Sequence, residues 1–188
     1  MQPSKAPAGE RPAVSVVPDD LHALRAVVEG TAGGTGQEFF RSFVRHLAEA
    51  VDVHYVGVCE FKDHPITRVL ALWDRDHVVE AGDFDITDTP AAEVLRSGLA
   101  HFPTGVLQRF PGREFLAERR VDSYMAVPFY GDGGRPLGYL SVFDERPMPA
   151  ESRRLFILRI FGARAAAEIE RLRAEQRVQE SEARYRDL

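Results

Sequence analysis

The stretch Ser123 to Asp144, SYMAVPFYGDGGRPLGYLSVFD, constrains the chain more than any other. Two apolar, β-prone runs, Tyr124 to Tyr130 and Leu137 to Phe143, flank Gly131-Asp132-Gly133-Gly134. Those loop residues tolerate the positive φ of a tight reversal, so the stretch predicts a β-hairpin. Strands apolar at consecutive positions need cover on both faces, or cover on one and a cavity on the other. Pro128 has no N–H for a ladder and belongs at an edge or an irregularity. The hairpin is therefore expected to be the back wall of a ligand pocket. Alternation puts Tyr124 and Ala126 on one face and Met125 and Val127 on the other, and leaves open which face is the pocket.

Ahead of the hairpin, residues Met1 to Val17 are rich in Pro, Ala, Ser and Gly without an apolar period, which predicts a disordered lead over 1–18. Asp19-Asp20, then Leu21, Leu24, Val27 and Val28, then Gly30, read as a short amphipathic helix. Thr35 and Glu38 have capping-box spacing. Behind them Phe39, Phe40, Phe43, Val44, Leu47, Ala48 and Val51 recur at helical spacing, a stripe wide enough to pack on a sheet. His46 reads as a solvated histidine. Strands are expected at Val53 to Phe61, Arg68 to Trp73, within Val78 to Phe84, and at Leu99 to Phe102. Thr89-Pro90 reads as the start of a helix through Ala91, Ala92, Val94 and Leu95 to Gly98. Val106 to Phe110 and Phe115 to Arg119 are expected as short helical pieces forming a lid. Past Pro147 and Pro149, a long helix starts near Ala150. Its first half is dense with Leu155, Leu158, Phe161, Ala165, Ile169 and Leu172. Its second half thins to Ala174, Val178 and Tyr185 among Glu and Arg, which predicts a coiled-coil arm in a homodimer.

Composition narrows the function. A chain of 188 residues with 44% hydrophobic residues holds one domain plus appendages. No apolar run spans a bilayer, and the N-terminus has no apolar signal core. Cys59 is the single cysteine, which excludes an internal disulfide and a cysteine-built zinc site and fits a reducing cytoplasm. Net charge is −5 with the signs interspersed, so nucleic acid is not an expected partner. Cys59, mid-strand, reads as packing. The loop carboxylates Asp83, Asp85 and Asp88 read as solvated; no metal site is expected.

The Ser-x-x-x-Val-Pro strand, the Asp-Gly turn and Leu137-Gly138-Tyr139-Leu140-Ser141-Val142 resemble the last two strands of a GAF domain. Glu38-Phe39-Phe40-Arg41 and the segment Phe110-Pro111 through Val121 resemble the same family, over roughly Leu21 to Leu172. The resemblance implies an α+β, GAF-like (PAS-related) fold over 19–172. Its central antiparallel sheet would carry the N- and C-terminal helices on one face and a small-molecule pocket on the other. Candidate lining residues are Trp73, Phe84, Leu95, His101, Phe102, Val106, Phe110, Tyr124 and Tyr139. Residues 173–188 are expected as a coiled-coil signalling linker, and its end, Glu180 to Leu188 with Glu182-Ala183-Arg184-Tyr185-Arg186, resembles the lead-in to a PAS domain. The expected role is small-molecule sensing and dimerisation in a bacterial multi-domain signalling protein, without catalysis. The ligand and any cofactor stay unassigned. Bilin-type binding lacks its proline after Asp85-Ile86. Cyclic-nucleotide binding lacks its Asn-Lys near Phe143-Asp144-Glu145-Arg146. Haem would need His54 or His101 as an axial ligand. A ligand-free dimerisation module is the alternative.

Overall fold

The computed structural model describes residues 34–186 with Arg25 and Glu29, and side chains as far as 184. The expected lead, and all of the expected first helix except those two residues, lie outside them.

The seven apolar side chains at helical spacing form α1 (Gln37–Val51), and all seven are buried. The start of α1 differs from the expected capping box. Gly36 is the N-cap, at φ 63°, with no side-chain cap. Its N–H donates instead to Glu168 Oε1 at 2.7 Å, 132 residues away. A free helix-end donor is thus satisfied by tertiary contact.

A seven-stranded antiparallel sheet follows: β1 (Tyr55–Phe61), β2 (Ile66–Asp74), β3 (His77–Val79), β4 (Asp83–Asp85), β5 (Ala100–Phe102), β6 (Ser123–Tyr130) and β7 (Pro136–Asp144). The order is β3-β2-β1-β7-β6-β5, with β4 also on β2. The single strand expected within Val78 to Phe84 is thus two short ones. The hairpin forms as expected, with Tyr124 opposite Phe143 and Pro128 opposite Tyr139. Pro128 needs no ladder donor on its other side, because β5 pairs only with Tyr124, Met125 and Ala126.

Between β1 and β2 the register slips after Val58, so Cys59 faces Val69 and Val58 faces Ala71. The extra residue, Leu70, makes a β-bulge. It breaks strict alternation along β2 and turns Val69 and Leu72 to the same side.

Three short helices connect β4 to β6: α2 (Ala92–Ser97), α3 (Val106–Arg109) and α4 (Glu114–Glu118). Thr89 does not cap α2; its hydroxyl donates to the Ile86 carbonyl at 2.6 Å and the helix begins three residues later. Gly98, at φ 73°, ends it as the sequence predicts.

The last helix, α5 (Ser152–Arg186), runs 35 residues, about 52 Å at 1.5 Å per residue. Ile157, Leu158, Phe161, Ala165, Ala166 and Ile169 are buried. Phe161 meets Phe43 of α1 edge-on, ring centroids 5.0 Å apart. From Ala174 on, every described side chain is exposed.

The core lies in two clusters, one on each face of the sheet. The first joins α1 and α5 to Val56, Val58, Met125, Val127, Leu140 and Val142. The second joins Tyr55, Cys59, Tyr124, Ala126, Tyr139 and Phe143 to the short helices. The helices therefore decide the parity that the sequence left open: Tyr124 and Ala126 face away from them.

Candidate functional site

On the sheet face opposite α1 and α5 lies a cavity of about 520 Å³, within the range of small-molecule sites. Its floor comes from alternate residues of the central strands: Gly57 and Cys59 of β1, Tyr124 of β6, and Tyr139, Ser141 and Phe143 of β7. Its walls come from β4, from the turn before α2, and from Gly112 to Leu116.

An aromatic ladder crosses the floor. Tyr55 stacks on Phe143 at 5.2 Å and 8°, and Tyr124 stacks on the other side at 6.0 Å and 21°. Strand register produces it, since both tyrosines lie directly opposite Phe143. Gly57 is small for a reason: a Cβ there would lie 2.9 Å from Ser141 Oγ.

The floor is mostly apolar, with a few polar groups and no charge. Burial pushes the Cys59 thiol up to about 12, with the Tyr139 hydroxyl in hydrogen-bond reach. Burial also raises Tyr124 and Tyr139 well above the usual phenol value. Thiol and phenols are therefore neutral at physiological pH, and they bond one another and Ser141 without charge.

The wall on α4 is held from both ends. Arg119 at its C-terminus pairs with Asp74 of β2 at 2.8 Å and lies over the Phe115 ring at 4.0 Å. Arg113 at its start donates to the backbone carbonyls of Thr87 and Asp88. The two wall segments are thus stitched together, and Phe84 and Phe115 stay partly exposed at the mouth.

Of the nine residues expected to line the pocket, Phe84, Tyr124 and Tyr139 do so. Phe102, Val106 and Phe110 pack in the core cluster on that face, Phe102 edge-on to Phe110, and fill space beside the cavity. The first expected lid piece is therefore packing, and only the second forms a wall. Three placements are corrected. Trp73 lies opposite Val56 and packs in the helix-side core. His101 lies opposite Met125 on that same side, its Nε2 2.9 Å from the Met148 carbonyl. Leu95 is exposed on α2.

The haem reading fails the same geometric test. His54 sits beside Asp144 and Glu145, at 3.4 and 3.5 Å, and neither it nor His101 lines the cavity. Asp83 pairs with Arg68 at 3.0 Å, and Asp85 accepts the Thr87 N–H at 2.7 Å. The residues missed from sequence include Ser141 and Phe143. Their signal was present, since they follow Tyr139 at the two-residue period of a strand face.

The chain's fold is shared by several solved structures. The GAF domain of an Acinetobacter phosphoenolpyruvate-protein phosphotransferase superposes with a TM-score of 0.69 at 14% identity, covering 85% of this chain and 97% of that one. A bacteriophytochrome from the photosynthetic bacterium R. palustris matches with a TM-score of 0.65 at 13% identity, over 91% of this chain but 41% of its own. The chromophore-binding domain of a Stigmatella aurantiaca phytochrome matches with a TM-score of 0.60 at 16% identity, over 86% of this chain and 63% of its own. Among curated proteins none matches the sequence significantly. The family model described as GAF domain matches residues 35–169. That match spans most of the chain, and it takes in the sheet, the cavity and the packed half of α5, so the protein belongs to the GAF domain family.

Proposed function

We propose that this domain is the sensory module of a bacterial multi-domain signalling protein, binding a small molecule in the cavity and passing the change along α5. The observation that carries the reading is the position of β1 between the two. Gly57 and Cys59 face the cavity, while Glu60 accepts from Arg173 of α5 on the other side, Arg173 Nε to Glu60 Oε1 at 3.1 Å. Arg173 lies where α5 leaves the core. Glu170 of α5 also accepts the Asp132 N–H of the hairpin loop at 2.6 Å. A ligand that moves β1 or the hairpin therefore acts on the helix at its point of exit. It shifts the equilibrium only by its affinity difference between two helix positions.

Binding, not catalysis, is the proposed activity. The sole thiol is buried and neutral, and the floor holds no base beside it. A homodimer through the terminal helices, in the cytoplasm, completes the proposal. Phe156 and Val178 of α5, 52% and 57% exposed, are the apolar side chains such a partner would cover. No helix among the described residues is long and apolar enough to cross a membrane.

The test is thermal shift against a metabolite panel, run beside sizing of the chain truncated after Leu172. A compound that raises the melting temperature supports the sensor. Loss of the dimer on truncation, with no compound raising the melting temperature, means a structural dimerisation module instead.

A further inference from the structure

Resting on the small-molecule reading above, we propose that the cavity takes a flat aromatic ligand bearing an amine at the mouth, and disfavours anions. Three features converge. The first is charge. The lining carries the carboxylates of Asp83, Asp85 and Glu114 against the guanidinium of Arg113, and Asp83 is paired with Arg68 at its edge, which leaves one net negative charge. Arg113 donates from Nε and one Nη to the Asp88 and Thr87 carbonyls, which holds it along the wall. Glu114 has no ion pair among the described residues and is exposed at the mouth.

The second is the floor. Its polar groups are the hydroxyls of Tyr124, Tyr139 and Ser141 and the thiol of Cys59. None is a cation, so a phosphate or carboxylate pushed inward would lose water without gaining a counter-charge. A neutral ring carries no such penalty against this largely apolar lining.

The third is the aromatic wall. Phe84 and Phe115 stand at the mouth and Tyr124 lines the floor; Phe143 is already stacked between Tyr55 and Tyr124 and one face of Phe115 is covered by Arg119, so Phe84, Tyr124 and the other face of Phe115 are what a ligand meets. Aromatic faces attract a flat ring by stacking and an ammonium through the negative face of the π-system. Acidic residues at the mouth and aromatic faces at the wall thus select the same sign of charge.

Isothermal titration of the full chain with three probes of one ring system tests the inference: tryptamine, tryptophol and indole-3-acetate. Tryptamine is expected to bind tightest and indole-3-acetate weakest. The two should differ by about tenfold or more at low ionic strength, as a two-charge difference between the probes beside one net negative charge some ångströms away dictates. Added salt should narrow the gap. Glu114→Lys changes an exposed, unpaired side chain, so folding is retained, and it should lower the tryptamine to indole-3-acetate preference by about tenfold. Indole-3-acetate binding as tightly as tryptamine would overturn the ligand class while leaving the receptor reading intact. An unchanged preference in Glu114→Lys would overturn it too, as would the absence of binding by all three probes. In that last case a shift by another compound in the metabolite panel would still uphold the receptor reading.

Discussion

At the scale of single residues, close approach decides more than composition does. Gly138 on β7 lies where a Cβ would sit 2.0 Å from the Cys59 carbonyl oxygen and 2.6 Å from the Phe129 ring. A backbone atom cannot step aside. Gly138→Ala is therefore expected to cost about 3 kcal/mol or more, at the high end for overpacking. Gly133→Ala, in the hairpin loop at φ 78° with open space around it, should cost only about 1–2 kcal/mol. Urea unfolding of both variants checks this, and equal losses would refute the distinction. Cys59 gives a second prediction. Its thiol is buried and pushed up to about 12, so it should resist a disulfide reagent at pH 8 in the native protein and react at once in denaturant. Fast labelling of the folded chain would mean the cavity floor opens to solvent.

At the scale of elements, the two longest helices pack on each other as well as on the sheet. Phe161 meets Phe43 at 5.0 Å, and both are fully buried. Phe161→Ala should destabilise by about 3–5 kcal/mol, the usual cost of removing a buried ring. The exposed Phe156, five residues earlier, should lose far less stability on the same change, while weakening the dimer. Circular dichroism melts and sedimentation separate the two effects. A monomeric wild type would remove the proposed partner.

At the scale of the whole molecule, two carboxylates connect distant parts of the chain and set its response to acid. Burial alone would raise Asp144, but the Arg146 side chain and the N–H groups of Arg146 and His54 hold it below the ordinary aspartate value. Glu168 is lowered by Arg171 first and also by the Gly36 N–H of α1. Both folded-state values lie below the unfolded ones, so the unfolded chain takes up protons first. Their contribution is present above about pH 4 and is lost as pH falls through the lowered values. Asp144→Asn with Glu168→Gln should lower stability at pH 7 and flatten its decline below pH 4, as followed by urea midpoints against pH. An unchanged acid decline would refute the role. Much of this fold was legible in the residues: the hairpin, the seven-residue face of α1 and the long last helix all follow from local periodicity, a property of neighbouring side chains. The cavity was not. Sequence places Trp73 and His101 in it because periodicity gives the parity of a strand but not which side is covered, whereas Ser141 and Phe143 follow from Tyr139 by that same parity. The covered side depends on where α1 and α5 dock, and on one bulged residue, Leu70, that shifts the count along β2. Both arise from contacts between segments far apart in the chain, so only the packed molecule decides them.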